Sequence, residues 1–221
     1  MTVNGHLAVI AEVKRASPSK GALAPDLDPA ELARTYQAGG AACLSVLTDV
    51  EFFRGSPDDL ATARAACTLP VLRKDFTVDG RDVCDARLMG ADAVLLIAAA
   101  LADEELHSFG DLARRLGLDV LVEVHDEDEL ARAVAAGADL VGVNQRDLVT
   151  FEVDTERALR MAPQMPDGVI CVAESGIAGP SDAAQLARAG YHAVLVGEHL
   201  VTSGDARSGV ADLRRSHQPG R

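Results

Sequence analysis

The chain has 221 residues, 48% of them hydrophobic, and a formal net charge of -13. This fits one globular domain over 1–221, slightly short of the ~250 residues typical of a TIM barrel, and excludes a basic nucleic-acid-binding surface. The longest strongly apolar run, Ala91–Ala102, contains Asp92 and is too short to span a bilayer; no secretory signal precedes it, so a cytoplasmic location is expected.

Apolar runs alternate with amphipathic stretches along the whole chain. Strands are predicted at Ala8–Val13, Cys43–Leu47, Val71–Arg73, Ala93–Ile97, Val120–Val122, Leu140–Val143, Val169–Val172 and Ala193–Val196. Helices are predicted at Pro29–Ala38, Pro57–Ala66, Gly80–Met89, Asp103–Leu116, Glu127–Ala136, Thr155–Met161, Ser181–Ala189 and near Asp205–Arg215. Crossovers this short imply parallel pairing, and eight such units imply a closed (β/α)8 TIM barrel. A doubly wound open sheet would alternate in the same way. A weak repeat favours the barrel: Gly39, Gly90, Gly137 and Gly190 each stand where a helix ends and a strand begins, at a position suited to a left-handed cap.

The four cysteines are dispersed and the six histidines show no metal-ligand spacing, so buried thiols in a reducing compartment and no metal site are expected. Of 21 basic residues only Lys14, Lys20 and Lys74 are lysines. In a chain that otherwise uses arginine, these point to positions where a group able to release its proton is needed, with chance survival of the lysine as the alternative.

Barrel sites lie at the C-terminal ends of the strands. Several predicted strands run there into polar residues: Glu12 and Lys14 after the first, Lys74 after the third, Glu123 after the fifth, Asn144 and Arg146 after the sixth, Glu174 after the seventh. Lysines and carboxylates converging on one rim suit acid–base chemistry without a cofactor, and a ring of structural salt bridges is the alternative. Ser175-Gly176 and Gly197 follow the last two strands, where glycines let backbone N–H groups approach a phosphate; Ser17 to Gly21 adds hydroxyls and charge. A small sugar-phosphate substrate is therefore expected.

The ordered series Glu12-Val13-Lys14-Arg15-Ala16-Ser17-Pro18-Ser19-Lys20-Gly21, Phe53-Arg54-Gly55-Ser56, Leu72-Arg73-Lys74-Asp75-Phe76, Glu123-Val124-His125, Asn144-Gln145-Arg146-Asp147-Leu148, Ala173-Glu174-Ser175-Gly176-Ile177 and Leu195-Val196-Gly197-Glu198 resembles the indole-3-glycerol-phosphate synthases of tryptophan biosynthesis. The resemblance implies a carboxy-lyase that needs no cofactor. Lys74 would be its general acid, and Glu123, with Lys14, would serve the later dehydration. Glu12, Asn144 and Glu174 would orient the lysines and sugar hydroxyls. Arg146 and Lys14 would meet the substrate carboxylate, Phe53, Phe76 and Leu95 would wall in the aryl ring, and Ser17, Ser175, Gly176, Gly197 and the Glu198 backbone would hold phosphate.

Two features depart from the family pattern. Gln145 replaces a smaller residue, and only Met1–Ala8 precedes the first strand, where relatives carry a segment over the barrel mouth. The latter leads to an expectation of normal binding of simple phosphates and weak binding of the full substrate. A paralogous barrel enzyme for another anthranilate-like or sugar-phosphate substrate, a weakly active or non-catalytic phosphate binder, and an unidentified partner subunit stay open.

Overall fold

The computed structural model describes residues 7–215, so residues 1–6, on which the expectation of an uncovered mouth largely rests, lie outside the described region. The barrel strands are β1 (Ala8–Val13), β2 (Cys43–Leu47), β3 (Val71–Lys74), β4 (Ala93–Ile97), β5 (Asp119–Val124), β6 (Leu140–Asn144), β7 (Ile170–Glu174) and β8 (Ala193–Val196). Every strand pairs in parallel with its sequence neighbours, and β8 pairs with β1 to close the sheet. Closure, rather than an open doubly wound sheet, is the observed outcome.

The helices are α1 (Pro29–Gly39), α2 (Pro57–Ala66), α3 (Gly80–Leu88), α4 (Asp103–Arg115), α5 (Glu127–Ala135), α6 (Arg157–Met161), α7 (Pro180–Arg188), α8 (Glu198–Thr202) and α9 (Ala206–Arg215). Their starts follow local chemistry. Asp28, Ser56, Asp79 and Asp126 cap α1, α2, α3 and α5 through side-chain oxygens, each satisfying backbone N–H groups that lack intrahelical partners. The short α8 has no counterpart among the predicted elements, and α6 begins two residues later than expected. None of the described helices is long and apolar enough to cross a membrane.

Gly40 (φ 88°), not Gly39, takes the left-handed cap of α1, alongside Gly90, Gly137 and Gly190 at the other three sites. Gly39 belongs to the helix for a different reason: a Cβ there would stand 2.7 Å from the Arg207 carbonyl of α9. The pair of glycines separates the two jobs, close helix packing and chain reversal.

Alternation along each strand divides the interior into two cores. Val9, Ala11, Val94, Leu96 and Val194 face the helices, whereas Ala8, Leu72, Leu95, Leu121, Val172 and Leu195 fill the barrel. Strands β3, β5, β6 and β7 run one or two residues further than predicted, as far as Lys74, Val124, Asn144 and Glu174. Lys74, Glu123, Asn144 and Glu174, expected just beyond the strands, are therefore strand residues on the same inward parity as the barrel core, while Lys14 and Arg146 follow β1 and β6.

Candidate active site

Glu12, Lys74, Glu123 and Glu174 are the uppermost inward side chains of β1, β3, β5 and β7. Following the register around the sheet, they form one layer of the kind that alternate strands build in such barrels. The register sets Ser45 beside Glu12, Gly142 beside Glu123 and Leu195 beside Glu174. The apolar layers beneath supply a dry floor, so three carboxylates and one ammonium share a low-dielectric ring at the base of the mouth.

Lys74 joins that ring. Its Nζ lies 3.1 Å from Glu123 Oε2 and 3.6 Å from Glu174 Oε2. Burial favours loss of its proton, but Glu123, Glu174 and Glu12 outweigh burial and hold Lys74 above the ordinary lysine range. Desolvation therefore does not bring this lysine toward working pH, because three carboxylates face one cation. Burial likewise works against ionised Glu123, yet Lys74, the hydrogen bond from Asn144 Nδ2 (2.9 Å) and His125 keep its pKa below the usual carboxylate value. Glu174 is the opposite case. Burial, reinforced by Glu123 and Glu12 against the opposing pull of Lys74, pushes it up to about 8. Its Oε1 is buried without a hydrogen-bond partner.

Two glycines make room for these carboxylates. A Cβ on Gly142 would overlap Glu174 Oε1, and one on Gly197 would overlap Glu12 Oε1. Glu12 itself is 3.1 Å from Lys14 Nζ and accepts from Ser45 Oγ at 3.4 Å. Behind the ring, Tyr36 donates to the Glu12 carbonyl (3.0 Å) and Arg157 to the Asn144 carbonyl (2.8 Å), fixing the ends of β1 and β6.

Above the ring lies a cavity of about 330 Å³. Glu12, Lys14, Lys74, Glu123, Asn144 and Glu174 line it, with Ser17, Ser175, Gly176, Gly197 and Glu198 on one side and Phe53, Phe76, Leu95 and Arg146 among the others. Every residue to which the family resemblance gave a role thus borders the same space. Phe76 packs edge-on against Phe52 (6.2 Å) and tilted against Phe53 (6.5 Å), while Lys14 Nζ sits 5.6 Å from the Phe53 centroid. Arg146 donates to the Phe151 carbonyl at 3.0 Å, a bond within its own loop. Lys20 is not a pocket residue; it reaches Glu198 at 3.6 Å from outside.

Ser175 (φ 65°) and Gly176 (φ 69°) are both left-handed, a conformation that serine rarely adopts. Gln145 steadies this turn. Its Nε2 donates to the Ser175 carbonyl at 2.8 Å, and its backbone N–H to the Glu174 carbonyl at 3.0 Å. Gln145 is buried, so the longer side chain acts as a clamp between the ends of β6 and β7.

Sequence reasoning missed several participants. Phe52, Phe151, Ile177 and Leu195 also line the cavity, and Ser45, Gly142 and His125 shape the ring from behind. Strand parity could have found Ser45 and Gly142; nothing local marked the aromatic residues.

A family model described as indole-3-glycerol phosphate synthase matches residues 1–213. The chain belongs to the indole-3-glycerol phosphate synthase family. A protein named indole-3-glycerol phosphate synthase from Mycolicibacterium vanbaalenii is 58% identical over 207 residues, covering 94% of this chain and 76% of the relative. The protein of the same name from Mycobacteroides abscessus is 56% identical with the same coverage. A solved structure, thiamine phosphate pyrophosphorylase from Pyrococcus furiosus, superposes with a TM-score of 0.68 over 95% of this chain and 94% of that one. At 18% identity it shows a shared barrel and nothing more. Family membership favours the synthase reading over the paralogue and non-catalytic alternatives.

Proposed function

We infer that the chain is an indole-3-glycerol-phosphate synthase, closing the ring of 1-(2-carboxyphenylamino)-1-deoxyribulose 5-phosphate to indole-3-glycerol phosphate with loss of carbon dioxide and water. The observation that carries its mechanism is the ring of three carboxylates around Lys74 at the floor of an aromatic-walled cavity.

In this reading the phosphate lies against the N–H groups after Ser175 and Gly197, with Ser17 opposite and the start of α8 below it. The aryl ring lies among Phe53, Phe76 and Leu95, its carboxylate toward Lys14 and Arg146. Lys74 donates its proton to the ketone oxygen while the aromatic carbon attacks the carbonyl carbon. Departure of carbon dioxide restores the aromatic ring. Lys14 then protonates the leaving hydroxyl, and Glu123 takes the proton from the carbon beside nitrogen. Because a carboxylate leaves as neutral carbon dioxide, one proton is taken up per turnover. The 3.1 Å contact returns the proton on Glu123 to Lys74, and Lys14, whose side chain is 19% exposed, recovers its own from solvent. Glu12 and Asn144 orient Lys14 and Glu123, and Glu174 meets a sugar hydroxyl.

The test is a fluorescence assay for the indole product with the carboxyphenylamino substrate. Turnover, abolished in Lys74→Met with retained competition by inorganic phosphate, is expected. Phosphate binding without product from the unaltered chain would remove the assignment.

A further inference from the structure

The resting site holds Glu123 ionised largely through Lys74, yet Lys74 is the group that gives up its charge in the first chemical step. A neutral amine no longer opposes the burial of Glu123, and a buried carboxylate without a cation tends to take up a proton. The dehydration that follows needs Glu123 as a carboxylate. Something else must hold it so.

His125 stands on the other oxygen. It follows β5, outside the cavity lining, with its side chain 11% exposed. Its Nδ1 lies 3.0 Å from Glu129 Oε2, which also accepts from the His125 backbone N–H at 2.8 Å. Its Nε2 is buried, has no hydrogen-bond partner, and lies 3.5 Å from Glu123 Oε1. Carboxylates therefore flank both ring nitrogens, and only the doubly protonated ring offers each a donor. Local sequence fixes this arrangement. Asp126 caps α5 by accepting from the Glu129 N–H at 2.8 Å, which turns the Glu129 carboxylate back onto His125.

We propose that His125, held by Glu129, is a positioning residue that keeps Glu123 a carboxylate once Lys74 has given its proton to the substrate. It acts through Glu123 and touches no reacting atom. The charged groups in contact with the ring are Glu123 on β5 and Glu129 on α5; beyond Glu123 stand Lys74 on β3, Glu174 on β7 and the amide of Asn144 on β6. The inference rests on reading Glu123 as the base of the dehydration.

His125→Asn keeps a donor toward Glu129 and loses the one toward Glu123. It is expected to lower kcat about 10–100-fold near neutral pH, the scale seen when outer partners of a functional group are removed, with KM within about twofold. The acid limb of its kcat profile should move to higher pH, so the deficit shrinks as pH rises. His125→Gln, whose amide reaches toward Glu123 without charge, should recover part of the loss. Should His125→Asn fail to fold in a thermal melt, Glu129→Gln, which retains the acceptor but not the charge, should move the same limb in the same direction. An unchanged limb with wild-type kcat in His125→Asn, or a loss equal at every pH, overturns the proposal. Glu123→Gln assayed in parallel separates the two readings: if it turns over normally, the role of Glu123 falls and this inference with it. If it is inactive while His125→Asn is unimpaired, only the role of His125 falls.

Discussion

Lys74 on β3 and Glu123 on β5 meet across the barrel mouth, Nζ to Oε2, at 3.1 Å. The contact joins the proposed acid of the ring closure to the proposed base of the dehydration. It gives the proton taken in the second step a path back to the group spent in the first.

Lys74→Met is expected to lower kcat by at least the ~10²–10⁴-fold attributed to general acid catalysis, while inorganic phosphate still binds. Lys74→Arg should fare nearly as badly, since guanidinium does not release its proton. The methionine variant also strands three buried carboxylates. Breaking a buried pair costs about 3–5 kcal/mol, so its melting temperature should fall, more at alkaline than at acid pH. Near-normal turnover by the arginine variant would remove Lys74 from the role of acid.

Glu174 makes stability depend on pH in a definite direction. Its folded pKa of about 8 stands above the ordinary 4.5, so between those values the folded chain binds more protons than the unfolded one. The stabilisation is complete below about 4.5 and is lost as pH rises through about 8. Glu174→Gln cannot ionise, so its melting temperature should gain on wild type as pH rises through that window. Parallel melting curves at every pH would contradict the raised pKa.

Gly142→Ala and Gly197→Ala should damage turnover more than folding. Each new Cβ would displace a carboxylate, Glu174 Oε1 or Glu12 Oε1, rather than backbone. Overpacking of this kind costs about 1–3 kcal/mol, whereas a misplaced catalytic group can cost ~100-fold in rate. Paired melts and kcat measurements check the split; unchanged kcat in both would show that the ring tolerates displacement.

Gln145→Leu should raise KM and weaken competition by inorganic phosphate with little effect on kcat. It removes the 2.8 Å bond that secures the left-handed Ser175, without touching Lys74 or Glu123. Gly197→Asp should abolish phosphate binding through bulk and like charge. Phosphate titrations on the two variants test both statements, and unaltered affinity in Gly197→Asp would mean that the cradle lies elsewhere.

The sequence by itself determined the eight strand–helix units, most helix starts, and the identity of the rim residues from Glu12 to Glu198. These depend on local features: periodicity, capping side chains, and polar residues ending apolar strands. Even there the left-handed cap of α1 falls on Gly40 and not on the expected Gly39, because close packing of α9 on α1 is not a local property. Closure of the sheet was expected from the eight units and is observed, but the layer that seats Glu12, Lys74, Glu123 and Glu174 together was decided only by tertiary structure, since register is set between strands far apart in the chain. The ionisation of that layer was likewise beyond sequence. Lysine and carboxylates were expected on one rim, but only the folded distances set Glu123 at 3.1 Å and Glu174 at 3.6 Å from Lys74, with Glu123 held down and Glu174 pushed up. Coulomb energy varies with distance and dielectric, and both are properties of the folded interior.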